Sequence, residues 1–116
     1  MLLNMSVASH CPLLENASLK LCIELEKILK PNFKAVVSNA NAKIYTDKEQ
    51  ALKLLKSQLI SPVLYKQSIK NYESEIDCFV EFGSNILKGL NKKISPKETY
   101  SLTNFSDIDE FLKVIK

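Results

Sequence analysis

Histidine occurs once in this sequence of 116 residues, at position 10, within the stretch Ser6-Val7-Ala8-Ser9-His10-Cys11-Pro12. Imidazole titrates nearer neutrality than any other side chain, so in a loop beyond a buried strand it can take up and return a proton. The plainer alternative is a loop histidine bonded to backbone or water. A base needs a partner. The serine nucleophile of α/β enzymes sits on a sharp strand-to-helix turn, G-x-S-x-G, because glycine tolerates the strained backbone there. The only glycines are Gly83 and Gly89, so this sequence holds no such elbow. Cys11 adjoins the histidine, but adjacent residues rarely present their side chains to each other productively, which argues against a thiol nucleophile. Cys22 and Cys78 fall in apolar patterns and read as core residues. Three cysteines and one histidine without paired ligand spacing suggest neither a disulfide framework nor a metal site. Glu24, Glu26, Glu73, Glu75 and Asp77 read as solvated carboxylates, with no pair set apart as acid and base. Lys88, Lys92 and Lys93 form a basic face, either simply solvated or turned to an acidic partner.

The 16 basic residues against 13 acidic ones give a formal charge of +3, spread along the chain. That is too mild and too dispersed to suggest nucleic acid, while a basic face meeting an acidic protein stays open. The opening MLLNMSV lacks the basic region and the apolar length of a signal peptide, and no later run is long enough to span a bilayer. A cytoplasmic protein with reduced thiols, bound to neither membrane nor nucleic acid, is the expectation. Length and a hydrophobic content of 46% suit one domain over residues 1–116.

The histidine loop needs a scaffold. Residues 2–7 are apolar and end abruptly at Ala8-Ser9-His10, as a buried strand delivering a loop would. Pro12 suits a first helical position, and Leu14, Ala17, Leu21, Leu25 and Ile28 recur at helical spacing until Pro31. Lys34-Ala-Val-Val-Ser38 reads as a strand, followed by Asn39 and an extended piece around Ile44. Thr46 and Glu49 have the spacing of a capping box that opens a helix through Leu52 and Leu55. Ser61-Pro62 is expected to start the next helix, with Tyr65, Ile69 and Tyr72 on one face. IDCFVEF, residues 76–82, is the strongest strand signal and ends at Gly83. Beyond it Ile86, Leu87, Leu90 and Ile94 line one helical face, with Lys88, Asn91 and Lys92 pointing elsewhere. A strand over 99–103 and a helix over 106–116, with Ile108, Phe111, Leu112 and Ile115 inward, complete the chain. This alternation predicts an α/β fold with a mostly parallel sheet and flanking helices, whose functional loops lie beyond the carboxyl ends of the strands.

Four segments, SVASHCPLLENAS, VVSNANAK, SQLISPVLYKQSI and FVEFGSNILKGLNKKI, stand in the order and spacing found at the carboxyl end of the malonyl-CoA:acyl-carrier-protein transacylases, and the chain resembles that family over nearly its whole length. The resemblance implies part of a three-layer, hydrolase-like acyl transferase domain, with the nucleophile-bearing part upstream of Met1. Under it, His10 matches the family's catalytic histidine. Gln58 matches the glutamine whose backbone carbonyl orients that imidazole, where other hydrolases use a carboxylate. Asn39 matches an asparagine of mainly structural role in the turn near the site. The chain departs from the family pattern at Val7-Ala8-Ser9 and at Ser84-Asn85, where glycine, aromatic and proline positions are replaced.

The chemistry so implied is a ping-pong transfer of malonyl from coenzyme A to the phosphopantetheine thiol of acyl carrier protein, with no cofactor or metal. Lys88, Lys92 and Lys93 would then help attract the acidic carrier protein. Alone, the chain is expected to be inert. The alternatives are a small non-catalytic module that binds acyl carrier protein or a partner polypeptide, and a complementation partner whose nucleophile comes from a separate chain.

Overall fold

The computed structural model describes residues 9–116, so the strand expected over residues 2–7 lies outside the described residues. The chain divides into two compact units, one ending at Ser68 and one spanning Ile69–Lys116.

In the first unit a 3₁₀ turn, Pro12–Leu14, leads into α1, Glu15–Ile28, with proline at the start where a missing N–H costs nothing. The face that α1 turns inward is half-buried Leu14, Cys22 and Leu25 around Ser18, while Ala17, Leu21 and Ile28 of the apolar repeat stand exposed. A hairpin follows: β1, Asn32–Val37, pairs antiparallel with β2, Ile44–Asp47. Phe33 meets Tyr45 edge to face at 5.9 Å across it, the favoured geometry of two ring quadrupoles. Helix α2, Lys48–Ile60, is capped one residue later than its spacing suggested. Asp47, the last residue of β2 and in extended conformation, accepts the N–H of Gln50, so the cap is Asp47 and not Thr46.

Helices α1 and α2 run antiparallel along a polar seam. Ser18 Oγ donates to the Lys56 carbonyl at 2.9 Å, Cys22 Sγ makes a long contact of 3.8 Å to that of Leu52, and Lys48 Nζ reaches the Glu26 carbonyl. Each rung steps four residues forward on one helix and four back on the other. Small side chains at Ser18, Cys22 and the buried Ala51 let the helices approach closely enough for side chains to reach backbone.

Helix α3, Tyr65–Tyr72, starts three residues past Pro62, not at Ser61-Pro62. The segment between is extended, because proline disfavours helical backbone in the residue before it and Ser61 adopts φ −118°, ψ 153°.

The second unit is built of short elements: β3, Phe79–Phe82; α4, Ile86–Ile94; β4, Thr99–Leu102; and α5, Phe105–Val114. Strands β3 and β4 pair in parallel with Phe79 opposite Thr99 and Phe82 opposite Leu102, a crossover through α4. The fold is α/β, with one parallel and one antiparallel strand pair among the described residues. Strand β3 is shorter than the seven-residue apolar run suggested, since pairing lasts only as long as β4 faces it. Gly83 extends the ladder by donating to the Leu102 carbonyl at 2.9 Å, and its φ of +81° is a conformation that glycine alone adopts without strain.

The inward face of α4 is a correction to the apolar pattern. Asn91 is buried and donates to Thr99 Oγ1 at 3.2 Å, whereas Ile86, Leu87 and Leu90 are exposed. A hydrogen bond to β4 therefore sets the rotation of α4, and the apolar stripe faces out. In α5, Ile108 and Phe111 are half-buried, with Phe111 4.9 Å from the Tyr100 ring, while Leu112 and Ile115 are exposed. Asn104 and Asp107 form the reciprocal capping box of this helix. No helix of the described residues is long and apolar enough to cross a membrane.

Candidate active site

His10 is held by backbone geometry before its side chain makes any bond. Its φ of 52° lies in the left-handed region, which costs a non-glycine residue energy and marks a position fixed by its surroundings. Cys11 is extended, at φ −143° and ψ 162°, and its N–H donates to the Leu59 carbonyl at 3.1 Å. Its own carbonyl accepts the N–H of Leu14, closing the turn into α1.

The imidazole is exposed, and its Nδ1 lies 2.8 Å from the backbone carbonyl of Gln58. A carbonyl oxygen only accepts, so the proton of the neutral ring sits on Nδ1 and Nε2 keeps its lone pair. Gln58 lies in the last turn of α2, where carbonyls have no helical donor and carry the negative end of the helix dipole. The arrangement is an exposed imidazole whose Nδ1 is pinned as donor to the Gln58 carbonyl.

Asn39 stands in the β1–β2 turn. Its backbone carbonyl accepts the N–H of Leu64 at 2.9 Å, which ties the turn to the extended segment after α2. The same turn is knitted by Ser38, whose N–H donates to the Lys43 carbonyl at 3.0 Å and whose Oγ accepts from the Ala40 N–H at 3.1 Å. Asn39 is thus tied through its backbone to the extended segment that follows Ile60. Cys11, Cys22 and Cys78 are free thiols.

In the second unit, Lys88, Lys92 and Lys93 are exposed on α4. Lys88 and Lys92 border a groove of about 260 Å³ together with Lys97, Ser95 and Glu98. Lys93 is not among its walls. Two lysines of α4 and one of the following loop therefore share a single basic concavity.

Glu81 was not legible as important from the sequence, yet it organises this unit. Burial works against its charge, but hydrogen bonds from Ser84 Oγ, from the N–H groups of Leu87 and Lys88, and from Ser101 Oγ outweigh that and hold its pKa at about 2. The carboxylate closes the amino end of α4, joins β3 to β4 and fixes the backbone from which Lys88 projects. The available signal was a lone acid inside an apolar strand, since a buried charge persists only where donors surround it.

No protein-family model matches the chain. Among curated proteins it is 35% identical over 108 residues to the malonyl CoA-acyl carrier protein transacylase of Salmonella typhimurium, covering 88% of this chain and 34% of that protein. The Bacillus subtilis transacylase is 30% identical over 118 residues, with 98% and 37% covered. Among solved structures, the Helicobacter pylori malonyl-CoA:acyl carrier protein transacylase superimposes with a TM-score of 0.88 at 39% identity, over 97% of this chain and 37% of that one. A type II PKS acyl-carrier protein in complex with its malonyl-transacylase gives 0.86 at 28% identity, over 97% and 38%. The chain spans about a third of the length of the curated relatives it matches. By sequence and by fold, the chain is similar to the malonyl-CoA:acyl carrier protein transacylases over about a third of their length.

Proposed function

We propose that this chain supplies the general-base half of a Ser–His acyl transfer site, in an enzyme that moves malonyl from coenzyme A to acyl carrier protein. The observation that carries this reading is the 2.8 Å contact from His10 Nδ1 to the Gln58 carbonyl, which leaves Nε2 ready to accept a proton. The nucleophile would stand on a G-x-S-x-G turn, which this sequence does not contain.

In the first half-reaction, the serine hydroxyl proton passes to His10 Nε2 as Oγ attacks the malonyl thioester carbon. The tetrahedral intermediate collapses to the acyl-serine, and the coenzyme A sulfur leaves with the proton from Nε2. In the second, the phosphopantetheine thiol of the carrier protein gives its proton to Nε2 while its sulfur attacks the acyl-serine ester. Serine Oγ then recovers the proton. His10 acts in both halves, and the Gln58 carbonyl holds the ring in place each time.

The carrier protein would meet the face formed by Lys88, Lys92 and Lys93. A transacylase of this fold in complex with its acyl-carrier protein supports a docking role for the family, and the lysines supply charge complementary to an acidic partner. Exposed apolar side chains support the view that the chain works joined to further polypeptide: Leu13, Ile28, Phe82, Ile86 and Phe105 are each 70% or more exposed.

The test is a chimera in which residues 9–116 replace the matching part of the Salmonella typhimurium relative. We expect the chimera to transfer malonyl from malonyl-CoA to holo acyl carrier protein, and His10→Ala to lower kcat about 10²- to 10⁴-fold. The isolated chain is expected to show no transfer. Full activity in the His10→Ala chimera would overturn the assignment.

A further inference from the structure

In an α-helix each carbonyl accepts from the N–H four residues later, so the Gln58 carbonyl awaits the N–H of residue 62. Residue 62 is proline and has none. The same proline drives Ser61 into extended backbone, at φ −118° and ψ 153°, so the chain turns away from the helix before a water-side donor can return to it. A later donor is spent elsewhere: the N–H of Leu64, which would reach the Ile60 carbonyl in a continued helix, donates to the Asn39 carbonyl at 2.9 Å. Two consecutive carbonyls of α2 accept instead from two consecutive residues 48 positions earlier, Gln58 from His10 and Leu59 from Cys11.

From this we infer that Pro62 is a positioning residue for His10: it withholds the one backbone N–H that would compete for the Gln58 carbonyl, and so keeps that acceptor open for the imidazole. Its importance to catalysis rests on the reading of His10 as the base, whereas its effect on the ring does not. Pro62 is exposed. Alanine at this position would restore the N–H and favour one more residue of helix, because alanine is the best helix former. The His10 ring would then lose its exclusive acceptor and drift toward the tautomer with the proton on Nε2, which free imidazole prefers.

Because His10 is the only histidine, a two-bond ¹H–¹⁵N correlation spectrum of the ¹⁵N-labelled 116-residue chain reads its tautomer without assignment. The unsubstituted chain is expected to show a protonated Nδ1 and a bare Nε2 above the titration of the ring. Pro62→Ala is expected to shift the population toward a protonated Nε2. A second variant carries lactic acid at position 62, giving a backbone ester with neither the ring nor an N–H. It is expected to keep the original tautomer. A Pro62→Ala spectrum that matches the unsubstituted chain would overturn the inference. So would an ester variant that behaves like Pro62→Ala, since the missing donor would then not be what matters; that comparison decides even where Pro62→Ala disturbs the fold.

In the chimera, Pro62→Ala should lower kcat about 10- to 100-fold with KM nearly unchanged. A chimera inactive with every residue intact would defeat the functional reading while leaving the tautomer result to stand by itself.

Discussion

Ser18 Oγ donates to the Lys56 carbonyl at 2.9 Å, two residues before the carbonyl that holds His10, and the Ser18 side chain is completely buried. The rung sets how α1 lies against the helix that carries the acceptor. Ser18→Ala removes one hydrogen bond at little change in volume and should cost about 1 kcal/mol. Ser18→Leu forces the helices apart and should cost about 1–3 kcal/mol. Urea titration checks both, as a lower midpoint at unchanged slope.

Glu81 makes the second unit sensitive to acid. Its folded pKa of about 2 lies below the ordinary 4.5, so protonation favours the unfolded chain. Its contribution is complete above pH 4.5 and is lost as pH falls toward 2. Asp107 acts in the same direction, because hydrogen bonds from Thr103 and Asn104 lower its pKa. Thermal melts followed by circular dichroism should show Tm falling through this window. Glu81→Gln should be less stable at pH 7, since an amide offers one acceptor where the carboxylate offers two, and its Tm should vary less between pH 5 and 3.

Charge reversal on α4 tests the docking face. In the chimera, Lys88→Glu, Lys92→Glu and Lys93→Glu together should weaken association with acyl carrier protein about tenfold or more at low ionic strength. The difference should shrink as salt rises beyond about 0.15 M, where exposed charges are screened. Surface plasmon resonance across a salt series reads both; equal affinities at low salt would remove these lysines from the interface.

Gly83→Ala probes backbone strain alone. An added Cβ would meet no atom within 4 Å, but φ of +81° is unfavourable for any residue with a Cβ. The cost should be about 1–2 kcal/mol, visible as a lower urea midpoint. The Gly83 bond to the Leu102 carbonyl lies at the end of the β3–β4 ladder, so amide exchange should accelerate there.

Local chemistry was legible in the residues themselves. The α/β alternation, the proline start before α1, and the strand and extended piece on either side of Asn39 rest on short-range patterns of side chains. Tertiary structure decided whatever depends on competition between neighbours. Thr46 and Asp47 are both able caps, and the helix begins after Asp47, whose side chain takes the N–H of Gln50. Apolar periodicity placed Asn91 outside, yet its bond to Thr99 turned it inward and left Ile86 and Leu90 exposed. Glu81 looked like one acid in an apolar strand until four donors converged on it from Ser84, α4 and β4. The same holds at His10. Sequence supplied an imidazole and, 48 residues on, a glutamine, but only the packing of α1 against α2 brought the ring to a carbonyl left open at a helix end. The reason is physical: periodicity and turn chemistry are set by residues a few positions apart, whereas a hydrogen bond across the fold exists only once other elements have placed both its partners.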